Sequence, residues 1–267
     1  MFFAFSRLTK EVLVELRGHK NMAYLMPVKK IIVVLANSKK TGGRCLAGKE
    51  LVRKGDAWEV RSWIRPVTSG KGGAVPLYLM TAGLGHVPKL LEIIEISFEK
   101  AVPTDDQPEN WLLEMPVKPN LWKSIGMFEL NEINKLVDKP IKLWDDDTDE
   151  RRVRAGYTKT MLSPSSLYFI KPESIESVKI WSENDMYNTL KKRRRLAFRY
   201  AKIRHEFDID DVDFAEKYYP QVPGVNHSPL YPKLENPKNT YVCVSLPPEF
   251  HGYQYKIAAA ILEPPIN

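Results

Sequence analysis

Trp58-Glu59-Val60-Arg61-Ser62-Trp63-Ile64-Arg65, closed by Pro66, is the stretch on which the fold class turns. Strand alternation places Trp58, Val60, Ser62 and Ile64 on one face and Glu59, Arg61, Trp63 and Arg65 on the other. Upstream, Ile31-Ile32-Val33-Val34-Leu35 is a β-branched run that reads as a buried strand. Between the two lies a basic, glycine-containing loop that begins Lys39-Lys40-Thr41-Gly42-Gly43-Arg44. Downstream, the turn Ser69-Gly70-Lys71-Gly72-Gly73 precedes three further strand candidates at 75–80, 90–98 and 111–115. Five short strands in one stretch, with no long helix, predict a small barrel over residues 28–117.

Pro116, Pro119 and Asn120 mark a boundary, and residues 118–140 are expected to form a linker helix, its helical part over 126–137. Phe128, Leu130, Ile133, Leu136 and Val137 lie near helical spacing there, and Pro140 stops the run. The second half, 141–263, repeats the strand logic. Candidates are 141–144, 167–170 with 175–181, and 196–207. Asp210-Asp211 then caps a short helix through Tyr219, ended by Pro220. A proline-rich loop over 220–239 and strands at 241–246 and 253–262 complete the order. Strands, one helix, then two strands is the order of a Greek-key OB barrel, so the expected fold is mostly β with a few short helices, two OB-like barrels in tandem. Residues 1–27 read as an extension. They are either a short docking helix carried by Leu8, Val12 and Leu16, or a stretch preceding a true start at Met22 or Met26.

The 267 residues carry 40 Lys and Arg against 33 Asp and Glu, a net charge of +7, with 43% hydrophobic and 27% charged residues. That composition excludes a disordered chain, a collagen and a multispan membrane protein. It permits an anionic partner. Cys45 and Cys243 are isolated, without a CxxC or a Cys/His set, so free thiols in a reducing cytoplasm are expected rather than zinc. No apolar run reaches the roughly 20 residues that span a bilayer, and no membrane partner is expected.

Ile31 to Lys40 followed by Gly43-Arg44-Cys45-Leu46-Ala47-Gly48-Lys49 resembles the opening of the bacterial dual OB-containing domain family. Trp63-Ile64-Arg65-Pro66, Val242-Cys243-Val244-Ser245-Leu246 and Gly252-Tyr253-Gln254-Tyr255-Lys256-Ile257-Ala258-Ala259 fit the same pattern. The resemblance covers about 28–263 and implies two OB-like barrels in one chain. It implies no activity, which must come from residues.

Gly43 to Glu50 nearly spells a P-loop, but Glu50 stands where a magnesium-binding Ser or Thr belongs. The expectation is a basic loop, Lys39, Lys40, Arg44 and Lys49, that touches phosphate without hydrolysing it. Arg61, Trp63 and Arg65 offer a flat ring between two guanidinium groups, suited to a stacked base with flanking phosphates. A competing reading packs Trp63 under the neighbouring barrel and pairs its arginines with acids. Residues 191–204 hold eight cations and no acid, among them Arg193, Arg194, Arg195 and Arg199 beside Tyr200. That run reads as phosphate contacts, as a charge-protected edge strand, or as one half of a charge pair with the acids of 145–150 or 206–216. No nucleophile–base set, cofactor motif or metal-ligand spacing stands out, so no catalytic residues, cofactor or metal are expected. The leading function is a non-enzymatic module for single-stranded DNA or RNA. The alternatives are a protein-interaction or scaffold subunit and a nucleotide sensor or enzyme.

Overall fold

The computed structural model describes residues 27–115, 122–145, 151–185, 187–218 and 228–265. The extension at 1–26, the boundary prolines Pro116 and Pro119, the acids at 146–150 and the predicted helix stop at Tyr219-Pro220 lie outside the described residues.

Six strands build the first sheet: β1 (Val28–Lys40), β2 (Gly43–Lys54), β3 (Ala57–Val67), β4 (Glu92–Ala101), β5 (Asn110–Leu113) and β6 (Trp122–Met127). Two tight turns join β1, β2 and β3 as an antiparallel meander. β3 then runs parallel to β5, β5 antiparallel to β4, and β4 antiparallel to β1, which closes the barrel. α1 (Leu77–Leu84) spans the gap between β3 and β4. This is a five-stranded OB barrel. β6 extends it along β4 beyond the end of β5.

The second barrel repeats the scheme. Its strands are β8 (Leu167–Ile170), β9 (Ser174–Asn184), β10 (Leu190–Tyr200), β11 (Ile203–Ile209), β12 (Tyr241–Ser245) and β14 (Ile257–Leu262), with α2 (Val212–Tyr218) after β11. β11 runs parallel to β14, as β3 does to β5. β8 pairs with β12 and β9 with β10, so the two together play the part of β1. Pro172 separates them; proline has no N–H for the ladder. A two-stranded ribbon of β7 (Arg152–Arg154) and β13 (Tyr253–Tyr255) lies apart from both sheets. Among the described residues no helix is long and apolar enough to cross a membrane.

The mostly β expectation holds, and several elements differ from their sequence reading. The loop expected after Lys39 is mostly β2, a strand whose glycines and charges mask its apolar positions. The strand expected at 75–80 is a single bridge at Val75 followed by α1. Residues 126–137, expected as a helix, finish β6 and then form a 3₁₀ helix at Leu130–Leu136. Residues 141–144 form no strand; Leu143 and Trp144 are buried while Ile141 is exposed. The run 196–207 is a hairpin, turned by Ala201 and Lys202 at φ 52° and 65°.

Three apolar clusters hold the molecule. Ile32, Val34, Ile64, Ile94 and Phe98 fill the first barrel, and Phe198, Phe207, Val178 and Ile180 the second. The third joins them: Val33, Leu35, Ala47 and Trp63 pack with Phe169, Tyr241, Cys243 and Ala260. β1 is therefore buried on both faces, which is why 31–35 reads as an unbroken apolar run. A junction this apolar makes the two barrels one packed body.

Candidate nucleic-acid interface

OB barrels present ligands to the face of strands 2 and 3. In the first barrel that face is the junction. The register explains why. Leu51 pairs with Val60 and Lys49 with Trp63, so β3 carries one more residue than β2 across this interval. The bulge shifts the alternation by one. Trp58, Val60 and Trp63 therefore share the junction side, and Arg61 and Ser62 both reach solvent. The predicted Arg61-Trp63-Arg65 face does not exist as an open surface.

Trp63 is 8% exposed and Arg65 1%. Trp63 Nε1 donates to Asp138 Oδ2 at 3.1 Å, and Lys49, also buried, meets Asp138 Oδ1 at 2.6 Å. The Phe169 N–H donates to the same carboxylate at 2.8 Å. Arg65 Nη2 donates to Ser166 and Ser245 at 3.0 and 3.4 Å, and its Nη1 lies 3.9 Å from Glu109. Of the predicted pair, only Arg61 is open, 3.4 Å from Glu59. The reading in which Trp63 packs beneath the second barrel describes its place.

The near-P-loop also resolves into sheet geometry. A Cβ on Gly43 would stand 2.2 Å from the Val75 carbonyl oxygen, and one on Gly48 2.1 Å from that of Val33. Both glycines permit close backbone approach within the barrel. Glu50 pairs with Lys30 at 2.7 Å, and no helix follows. Arg44 is half-buried, its backbone bridged to Val75. Lys39 is exposed and Lys40 half-buried at the β1–β2 turn.

The equivalent face of the second barrel, β9 with β10 and β11, is not covered by the first. Leu196 and Phe198 point into the barrel, so Arg193, Arg195, Ala197 and Arg199 point out. Lys179 and Trp181 stand on the same side of β9, across from Arg195 and Arg193. Trp181 is half-buried, with Lys179 Nζ 4.9 Å and the Arg195 guanidinium 5.0 Å from its ring centre. This aromatic platform between cations is the arrangement expected at Trp63, found one barrel later. Arg194 lies on the opposite alternation, half-buried, beside Asp210 and Lys39. Tyr200 is half-buried, donating to the Pro140 carbonyl at 2.9 Å; burial raises its pKa.

Carboxylates lace this face. Arg193 pairs with Glu183 at 2.9 Å, Arg195 with Asp208 at 3.0 Å, and Arg199 and Arg204 both with Glu176 at 2.8 Å. Arg204 also meets Glu206. The hydrogen bond from Trp181 Nε1, then Arg193, holds the Glu183 carboxyl below its usual range; the one from Arg204 does the same for Glu206. Acids on β9, outside the two acidic clusters that the sequence reading pairs with this strand, thus share the neutralisation with Glu206 and Asp208. Trp181 is likewise absent from the residues expected from sequence. Its signal is the alternation Ser177-Val178-Lys179-Ile180-Trp181, which carries the same pattern as the stretch around Trp63.

Among the described residues no His, Cys, Asp and Glu cluster could hold a metal ion. Cys45 and Cys243 are free thiols, the first half-buried and the second fully enclosed, where burial drives its pKa far up. No curated protein matches the chain. The model of one protein family, the dual OB-containing domain, matches residues 30–261.

Proposed function

The chain belongs to the dual OB-containing domain family, and from that premise we propose that it binds single-stranded nucleic acid on the open face of its second barrel. The observation that carries this reading is Trp181, held between Lys179 and Arg195 on the β9–β10–β11 sheet, which no described residue of the first barrel's apolar junction covers. A ring in that setting stacks an unpaired base while the cations beside it meet phosphate. The first barrel serves as a buttress, since its own strand 2–3 face is consumed by the junction. Exposed ion pairs contribute only about 0–1 kcal/mol each, so phosphates can exchange with the carboxylates that now occupy the arginines. A single strand is favoured because stacking requires unpaired bases.

The pairing of Arg193, Arg195, Arg199 and Arg204 with carboxylates supports a second reading, a protein partner with mixed charge. One titration separates the two. Fluorescence anisotropy with labelled single-stranded DNA and RNA should show binding at low salt. Trp181→Ala should cost about 1–3 kcal/mol of that affinity with little change in salt slope. Replacing Arg193, Arg195 and Arg199 by Ala should lower the slope by roughly 0.7 for each phosphate no longer neutralised. Failure of the folded wild-type protein to bind any strand at low salt would leave the protein-partner reading standing.

A further inference from the structure

The β1–β2 turn and the end of β12 enclose a cavity of about 250 Å³ at the seam between the barrels. Ser38, Lys40 and Cys45 line it from the first barrel's hairpin, Gln107 from the β4–β5 connection, and Ser245 from β12. Ser38, Gln107 and Ser245 are buried. Lys40 is half-buried, and no described carboxylate pairs with it; burial pushes its pKa down, Cys45 opposes that, and Arg65 adds to it. Behind Ser245 lies Arg65, whose Nε and Nη1 have no hydrogen-bond partner although the residue is enclosed. Glu109 answers the Arg65 charge at 3.9 Å without hydrogen-bonding it, so the cation of the cavity wall left without a described carboxylate partner is the half-buried Lys40 ammonium. Such a deficit favours an anion.

The donor set narrows the anion further. Two lysines, three hydroxyl residues and one amide line the cavity: Lys39 and Lys40, Ser38, Thr41 and Ser245, and Gln107. The Ser245 hydroxyl already accepts from Arg65, which leaves its own proton free to donate. No arginine fork lines the cavity for bidentate recognition of a planar anion, and a lysine point charge with hydroxyl and amide donors suits phosphate. The cavity is below the roughly 300–1,000 Å³ of pockets for larger ligands. Asp210 stands at the rim and opposes an anion, but Lys39 and Arg194 act on it.

We propose that this cavity binds a phosphate group, free or as a small phosphate monoester, with Lys40 supplying charge and Ser38, Gln107 and Ser245 supplying hydrogen bonds. The site is separate from the sheet face of the second barrel and does not depend on its function.

The test titrates the full chain with sodium phosphate against sodium chloride at matched ionic strength. Thermal unfolding and the alkylation of Cys45 by iodoacetamide are followed together. Phosphate should raise the unfolding temperature and slow alkylation several-fold. Lys40→Met, which keeps the apolar stem, should fold and lose both effects. Asp210→Asn should strengthen both, because it removes the opposing charge. A nucleoside 5′-monophosphate run in parallel distinguishes the sources: stronger protection than phosphate assigns the site to monoesters, and equal protection to the bare anion. Trp181→Ala should keep the phosphate response, so loss of strand binding cannot be mistaken for loss of this site. Unchanged alkylation of wild type in phosphate, or equal protection of Lys40→Met, overturns the proposal.

Discussion

Replacing Asp138 by Ala removes the carboxylate that ties the barrels together. It accepts from Lys49 Nζ at 2.6 Å, Trp63 Nε1 at 3.1 Å and the Phe169 N–H at 2.8 Å. The Lys49 side chain is 7% exposed, so its ammonium would be left enclosed with no described counter-charge. Removing one member of a buried pair costs about 3–5 kcal/mol. Asp138 is 22% exposed, and water reaching it brings the ionic part to the low end. The stranded indole and backbone N–H groups add at least about 1 kcal/mol. The expected loss is therefore about 4 kcal/mol, or roughly 8–16 °C in Tm for a domain of this size. Urea unfolding followed by tryptophan fluorescence measures it. Asp138→Ala combined with Lys49→Met should recover a large part of the loss, since the stranded charge is gone. A cost under about 1 kcal/mol for Asp138→Ala, or strict additivity of the pair, would refute the claim that Lys49 and Trp63 serve the junction.

Gly48→Ala would bring a Cβ to 2.1 Å from the Val33 carbonyl oxygen, so the β1–β2 ladder must shift and at least about 1–3 kcal/mol should be lost; wild-type melting of this variant would contradict the close approach. Burial raises the Asp211 carboxyl to about 6, against the hydrogen bonds it accepts from Phe214 and Ile261. The folded state keeps this proton after the unfolded chain has lost it, so the stabilisation is full below about pH 4 and fades as pH rises through 6, about 3 kcal/mol in all. Asp211→Asn should flatten that slope in urea midpoints taken between pH 4 and 7, and an unaltered slope would count against it. His205 has the opposite sign: burial, then Lys256, lowers its pKa to about 4, so stability falls as pH drops from about 6.5 through 4, by roughly 3 kcal/mol. Packed against Phe198 and Phe207, it should tolerate His205→Phe, and that variant should lack the acid-side loss in the same series.

Parts of the candidate interface are legible in the sequence. The outward arginines of β10 follow from alternation with Leu196 and Phe198, and all lie on one strand of the open face. Trp181 obeys the same rule, but the apolar residues of its strand dominate the pattern and draw attention to the core side. At Trp63, Arg65 and Lys49 alternation misleads. One extra residue in β3 moves Trp63 to the side of Trp58, and nothing local to the sequence announces a bulge. The paired acids of β9 emerge only from the hairpin register, which brings Glu183 and Glu176 beside arginines of the next strand.

Local pattern by itself determined that the chain is mostly β, that a short helix follows Asp211, and that in the second half strands and helix come in OB order. Those properties depend on alternation, capping and turn chemistry within a few residues, where side-chain identity sets backbone preference. Only the tertiary structure decided which of two similar aromatic and basic faces is open. The first barrel and the second both carry a tryptophan among cations on the strand 2–3 side or its edge. Which one is buried depends on the docking of β8, β12 and β14 against β1 and β3, a contact between segments more than a hundred residues apart. Burial of apolar area drives that docking without direction, and periodicity records that a face is apolar but not what covers it.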